Sequence, residues 1–141
     1  MKQFVLDTSI CMRWLLPSAK ISDQSFAEKV LVSLNQNTAI VPNLWHLEVS
    51  NVLLSAVRRA DIDQDLAAAF MQKLKLLPIS ADANTCRYAF NDVHMLANKY
   101  HLSSYDAAYL ALATRHNIPL ATLDKDLAKA CRKDGGELYQ M

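Results

Sequence analysis

The chain has 141 residues, 52% of them hydrophobic, with 15 basic and 14 acidic side chains and a formal net charge of +1. A chain of this size buries roughly two-thirds of its unfolded surface, which excludes a disordered chain and leads us to expect a single domain over residues 1–141. The near-neutral charge excludes recognition of nucleic acid by bulk positive charge, so any such site is a local patch.

Gln3–Leu6 predicts a short buried strand that ends at Asp7. Thr8 and Ser9 are N-cap residue types, so a helix is expected from there to about Leu16, before Pro17. Ser22 or Asp23 caps a second helix, whose apolar residues Phe26, Val30, Leu31 and Leu34 keep helical spacing. Thr38–Val41 predicts a second strand, closed by Pro42. Asn43 opens a long helix to about Arg59, with Leu44, Leu47, Val52 and Leu53 on its buried side. Asp61–Asp63 form a turn and Leu66–Leu76 is helical. Pro78-Ile79 marks a third strand, Asp82–Tyr100 a helix, and Ser103 begins another helix to about Arg115. Pro119–Thr122 predicts a fourth strand. Asp124 begins a helix that Gly135-Gly136 stops, and Glu137–Gln140 is a candidate last strand.

This alternation predicts an α/β chain with a central parallel sheet and helices on both faces. In such sheets the ligand crevice lies beyond the carboxyl ends of the strands. Asp7 ends the first strand and Asp124 follows the fourth, so the two meet if those strands are neighbours. Carboxylates brought together in this way suit a hard divalent cation; without one they repel and one tends to protonate.

Each acid also has an ordinary structural role. Asp7 precedes a helix whose positive end favours it. Asp124 fits an N-cap, and Asp106 sits in a capping box, Ser103-Ser104-Tyr105-Asp106. Glu48 has Leu44 and Val52 one turn away on either side, which puts it on the border of an apolar helix face. A carboxylate there is costly unless it is salt-bridged or bound to metal.

Other chemistries find little support. The only glycines, Gly135 and Gly136, leave no glycine-rich phosphate loop. Cys11, Cys86 and Cys131 form no CxxC, and no HExxH occurs, which argues against a disulfide framework or zinc site and for a reducing compartment. The start, MKQFVLDTSI, lacks the character of a signal peptide, and no apolar run reaches the length of a membrane span. The expectation is a soluble cytoplasmic protein.

At these acids the sequence resembles the PIN-domain family, and more narrowly its VapC-type toxins. Four segments carry the resemblance: Val5–Ser9, Leu47–Leu53, Ser104–Ala113 and Leu120–Leu127. Their order and spacing match along nearly the whole chain, and YDAAYLALA and ATLDKDLAKA are the most specific stretches. The resemblance implies a three-layer α/β/α sandwich around a parallel sheet. It implies that Asp7, Glu48, Asp106 and Asp124 form an acidic cluster holding Mg²⁺ or Mn²⁺, and that RNA phosphodiester bonds are hydrolysed. It also implies a homodimer neutralised by a small VapB-type antitoxin. On this reading Asp7 is the central ligand, Asp106 and Glu48 complete a first site, and Asp124 serves a second metal or acts through water.

Thr8, Ser9, Asn51, Thr122 and Asp126 are candidates to orient those carboxylates or their waters, with capping or solvent exposure as the alternative. Arg13, on the first helix, is a candidate phosphate contact. So are Arg58, Arg59, Arg115, Lys125 and Lys129, for most of which a solvated face is the better expectation. Trp14 and Trp45 read as packing residues ahead of base-stacking ones. Two rival readings stay open: a housekeeping PIN nuclease, and a PIN-like RNA-binding module without catalysis. A phosphoacceptor built on Asp7 is disfavoured, because Ser9 stands where a second Asp is expected.

Overall fold

A computed structural model describes residues 2–140. In chain order the elements are β1 (Gln3–Leu6), α1 (Thr8–Cys11), α2 (Ile21–Ser33), β2 (Thr38–Pro42), α3 (Trp45–Arg58) and α4 (Gln64–Lys75). There follow β3 (Ile79–Asp82), α5 (Thr85–Tyr88), α6 (His94–Tyr100), α7 (Ser104–His116), β4 (Leu120–Ala121) and α8 (Lys125–Lys133). A 3₁₀ turn over Met12–Trp14 extends α1, and a π turn over Ala89–Val93 links α5 to α6.

The four strands form one parallel sheet in the order β3-β2-β1-β4. Successive strand side chains point to opposite faces. Phe4, Val5 and Leu6 are all fully buried, as are Ala39, Val41, Leu120 and Ala121. Both faces of the inner strands are therefore covered, which is the three-layer α/β/α arrangement. Each of these larger side chains contributes about 1.5–3 kcal/mol by leaving water. β3 is an edge strand, and its Ser80 and Ala81 are exposed.

α7 is the central helix. Residues Ala107 to Ala113 are buried without interruption, as in a helix surrounded by protein. It ends where Asn117 adopts a left-handed conformation (φ 53°) that asparagine tolerates.

The winding of the sheet fixes where ligands go. The chain passes from β1 to β2 to β3, then returns to place β4 on the other side of β1. The crevice of such a sheet opens where the winding reverses, at the carboxyl ends of β1 and β4. The backbone joins there through Asp7 N–H donating to the Ala121 carbonyl at 3.0 Å.

Several expectations shift. The buried side of α3 consists of Trp45, Val49, Leu53 and Ala56; Leu47 is 75% exposed. Asp82 ends β3 and does not open a helix. Glu137–Gln140 forms no strand: Leu138 makes a single parallel bridge to Leu120. Tyr139 holds that segment by stacking on Phe4, with ring centroids 3.9 Å apart. Both tryptophans pack. Trp14 donates its indole N–H to the Ala27 carbonyl at 2.8 Å, and Trp45 is buried.

Candidate active site

Asp7 follows β1 directly, in extended backbone, and is 5% exposed. It stands at the N-cap of α1 but makes no side-chain cap there. Both of its bonds go to one oxygen. Ser9 Oγ donates to Oδ2 at 2.7 Å and Thr122 Oγ1 donates to the same atom at 2.8 Å. The two hydroxyls are themselves fixed by backbone after β4. Leu123 N–H donates to Ser9 Oγ at 3.0 Å, and Asp124 N–H donates to Thr122 Oγ1 at 3.0 Å. Oδ1 of Asp7 has no hydrogen-bond partner among the described residues.

Asp124 performs the capping its position predicts. Its Oδ1 accepts from Leu127 N–H at 3.0 Å, and Oδ2 has no partner among the described residues. Glu48 lies in the first turn of α3, half-buried. Its Oε1 accepts from the phenol of Tyr109. Thr8 Oγ1 lies 3.2 Å from that oxygen and 2.9 Å from the phenol. Asp106 sits in the first turn of α7, where its own N–H donates to Ser103 Oγ at 3.0 Å. Three of the acids thus spend one oxygen on the protein and leave the other free.

The four share one electrostatic neighbourhood. Burial pushes the Asp7 carboxyl above its ordinary value; its two hydroxyl donors oppose the shift, and the Glu48 and Asp124 charges add to it. Asp106 is raised by burial and then by the charges of Asp7 and Asp124. No basic side chain among the described residues pairs with any of the four. Unpaired anions near a buried carboxylate make its charge costly, a cost that a cation from solution would offset.

The donor set fits such an ion in kind: all oxygen, all anionic, suited to Mg²⁺ or Mn²⁺. Among the described residues, however, no three acidic, histidine or cysteine side chains stand close enough to grip a metal between them. Mg²⁺ tolerates this spread, because it commonly takes one or two carboxylates and keeps several waters.

The supporting residues divide. Thr8, Ser9 and Thr122 bond directly to the acids, while Asn51 is exposed and bonds to none of them among the described residues. Asp126 is exposed in the first turn of α8. Arg13 is half-buried in the 3₁₀ turn. Arg115 is neither a solvated face nor a free cation: it pairs with Asp82, which is 6% exposed, and lies 4.1 Å above the Tyr88 ring.

Two residues escaped the sequence reading. Tyr109 had the look of one more apolar position in α7, and nothing in its spacing separates it from Leu110 or Leu112. Asp82 ends a strand just as Asp7 does, a signal that was available. Arg115 neutralises it, so it does not belong with the unpaired set.

Comparison with known proteins matches residues 4–133 to the PIN domain family. Ribonuclease VapC3 of Pyrobaculum aerophilum is 36% identical over 86 residues, covering 58% of this chain and 63% of that protein, which is less than two-thirds of its length. Among solved structures, PAE2754 from Pyrobaculum aerophilum aligns with a TM-score of 0.64 at 19% identity, covering 92% of this chain and 79% of that one. VapBC2 from Rickettsia felis, bound to a DNA fragment from their promoter, aligns with a TM-score of 0.64 at 12% identity, covering 97% of each chain. FitAcB from Neisseria gonorrhoeae aligns with a TM-score of 0.59 at 15% identity, covering 97% and 96%. At these identities the structures share the fold.

Proposed function

The chain belongs to the PIN-domain family, and from that membership we propose that it is a divalent-metal-dependent endoribonuclease and the toxin of a VapBC-type pair. One observation carries the proposal: buried Asp7 lies at the crevice of the sheet within the electrostatic reach of Glu48, Asp106 and Asp124, none of the four has a basic partner among the described residues, and three of them have one oxygen anchored and the other free. The ribonuclease among the relatives and the VapBC2 complex among the structural neighbours support it.

Asp7, Glu48, Asp106 and Asp124 would hold Mg²⁺ or Mn²⁺. When bound, the ion lowers the pKa of water and screens charge on the phosphate. The chain's own task is to aim the carboxylates. Ser9 and Thr122 lock Asp7 against rotation, and their backbone donors lock them in turn. Thr8 and Tyr109 fix the rotamer of Glu48, leaving Oε2 directed elsewhere. Such outer partners set the geometry and basicity of the groups they touch.

No helix among the described residues is long and apolar enough to cross a membrane. Exposed Leu47, Phe90 and Tyr105 border an apolar groove between the start of α3, the π turn over Ala89–Val93 and α7. This surface supports a protein partner, a second copy of the chain or a VapB-type antitoxin.

The decisive experiment is cleavage of single-stranded RNA by the purified chain with Mg²⁺ and with EDTA. We expect cleavage only with the metal, and its recovery on adding Mn²⁺ to the chelated sample. Equal cleavage in EDTA would end the metal mechanism; no cleavage under either condition, with folded protein, would end the enzyme reading.

A finer test addresses Glu48. Tyr109→Phe keeps the buried ring and deletes the donor to the carboxylate. The Mg²⁺ concentration for half-maximal activity should rise roughly 10- to 100-fold, with an unchanged circular dichroism spectrum. An unaltered metal titration would mean that Tyr109 only packs.

A further inference from the structure

A chain of net charge +1 that acts on a polyanion faces a difficulty, because its candidate site is itself a cluster of unpaired acids. Attraction has to come from nearby. α8 carries Lys125, Lys129, Arg132 and Lys133 against one acid, Asp126, within nine residues. Lys125, Lys129 and Lys133 recur every four residues, so they form a slowly turning stripe that advances about 6 Å at each step. The helix begins at Asp124, and the stripe leads directly away from the candidate site.

Across from this stripe lies the end of α6. Lys99, Tyr100 and His101 face Asp126, Lys129 and Lys133 over an open groove. The lysines are exposed, and none lies within ion-pairing distance of a carboxylate among the described residues. Tyr100 is held as a wall: its hydroxyl donates to Asp134 at 2.9 Å, and Lys99 Nζ stands 5.3 Å from the centre of its ring. The near end of the groove adjoins the acids: Asp126 stands two residues beyond Asp124 in the first turn of α8, and His101 stands two residues before Ser103, whose Oγ accepts from the Asp106 N–H at 3.0 Å.

We propose that the groove between α6 and α8 is the track for the phosphate backbone of a single-stranded RNA whose scissile bond lies at the Asp7 cluster, an inference that rests on the ribonuclease reading. Exposed lysines with no carboxylate partner among the described residues suit a repeating phosphate chain, which asks for charge at intervals and not for shape. The half-buried Tyr100, which lines the groove, offers an aromatic surface beside which a base can lie. A protein segment is the poorer fit, because Lys99, Asp126, Lys129 and Lys133 dominate the lining and leave only Tyr100 and Ala130 as the apolar contacts that a docking peptide needs. That lining is found instead around Leu47, Phe90 and Tyr105.

The test separates binding from chemistry. Lys129→Ala with Lys133→Ala removes two groove cations at exposed helical positions, where alanine is well tolerated. A fluorescein-labelled RNA dodecamer is titrated by anisotropy into the full chain carrying Asp7→Asn, with and without the two changes. Affinity should fall about fivefold or more, and the slope of log K against log salt should flatten by about 1.4, about 0.7 for each lost phosphate. In the chain with Asp7 intact, kcat/KM for the dodecamer should fall by a similar factor, while a dinucleotide too short to reach the groove is cut as before.

Lys29→Ala with Lys73→Ala, both exposed and away from the groove, is the charge-matched control and should change nothing. Equal affinity and an equal salt slope in the groove variant would overturn the proposal. So would an unchanged RNA affinity accompanied by lost binding to a poly-glutamate peptide, which would mark a protein-docking surface. Absence of cleavage by the parent chain would defeat the nuclease reading and leave the binding result to stand alone.

Discussion

Asp7→Asn should abolish cleavage and, in the absence of metal, make the protein more stable. The activity loss should reach at least about three orders of magnitude, equivalent to some 4 kcal/mol of transition-state stabilisation. The stability gain has a separate cause. Folding buries the Asp7 carboxyl and surrounds it with like charge, so the folded chain holds this proton to higher pH than the unfolded chain, which releases it near 3.8. Stability from this group is complete below that value and is lost as pH climbs through the folded pKa. At neutral pH the metal-free protein therefore carries a penalty that asparagine removes. An asparagine oxygen still accepts the bonds from Ser9 and Thr122.

A gain of roughly 1 kcal/mol corresponds to a rise in Tm of about 2–4 °C, and it should shrink as the pH approaches 4. Adding Mg²⁺ should raise the Tm of the parent chain and not that of the variant. A variant less stable than its parent at pH 7 would refute the burial argument; full activity would refute the assignment of Asp7. Growth arrest on expressing the parent alone, relieved by the same substitution, is the corresponding expectation for a toxin. Harmless expression of an active enzyme would instead favour a housekeeping nuclease.

Arg115→Ala should be the most destabilising single change outside the apolar core. It strands Asp82, which is buried and whose remaining bond, from Asn84 N–H at 3.2 Å, does not balance its charge. Removing one partner of a buried pair costs about 3–5 kcal/mol, a fall in Tm of roughly 10 °C or more. Replacing both partners, Asp82→Leu with Arg115→Met, should recover most of the loss, since a buried pair is often no better than packed apolar groups. Neither change should alter the salt dependence of RNA binding, because Arg115 is already committed to Asp82 and Tyr88. A flattened salt slope in Arg115→Ala would restore it as a phosphate contact.

The contrast between Asp7 and Asp82 marks what the sequence made legible. Hydrophobic runs and turn residues are enough to find β1 and β2, whose apolar residues are buried, and the long helices, whose apolar residues recur at helical spacing. Two strand-end acids look alike as letters. Whether an arginine 33 positions further on closes over one of them depends on packing that no local pattern contains. The face of α3 was misjudged for a related reason. The helix opens at Trp45, and its buried row runs through Val49 and Leu53, so Leu47 points outward although it is as apolar as its neighbours. β4 proved shorter than its apolar run suggests, because Thr122 leaves the ladder to bond to Asp7. The four acids themselves came from the joint match of several segments to a family. The structure separates the candidates: Ser9 and Thr122 bond to Asp7, Thr8 and the unforeseen Tyr109 to Glu48, and Asn51 to none of the four among the described residues.

The tie between Asp7 and Thr122 also sets a schedule. Its partners stand 115 positions apart, and the second arrives with the last strand of the sheet. While the chain is being made, Asp7, Glu48 and Asp106 are all joined to it before Thr122 and Asp124. An unfinished chain on the ribosome, within reach of the cell's messages and transfer RNAs, has no β4 and no complete acidic centre. On the ribonuclease reading proposed above, cleavage is thus withheld until synthesis has passed Asp124, and so is the need for an antitoxin.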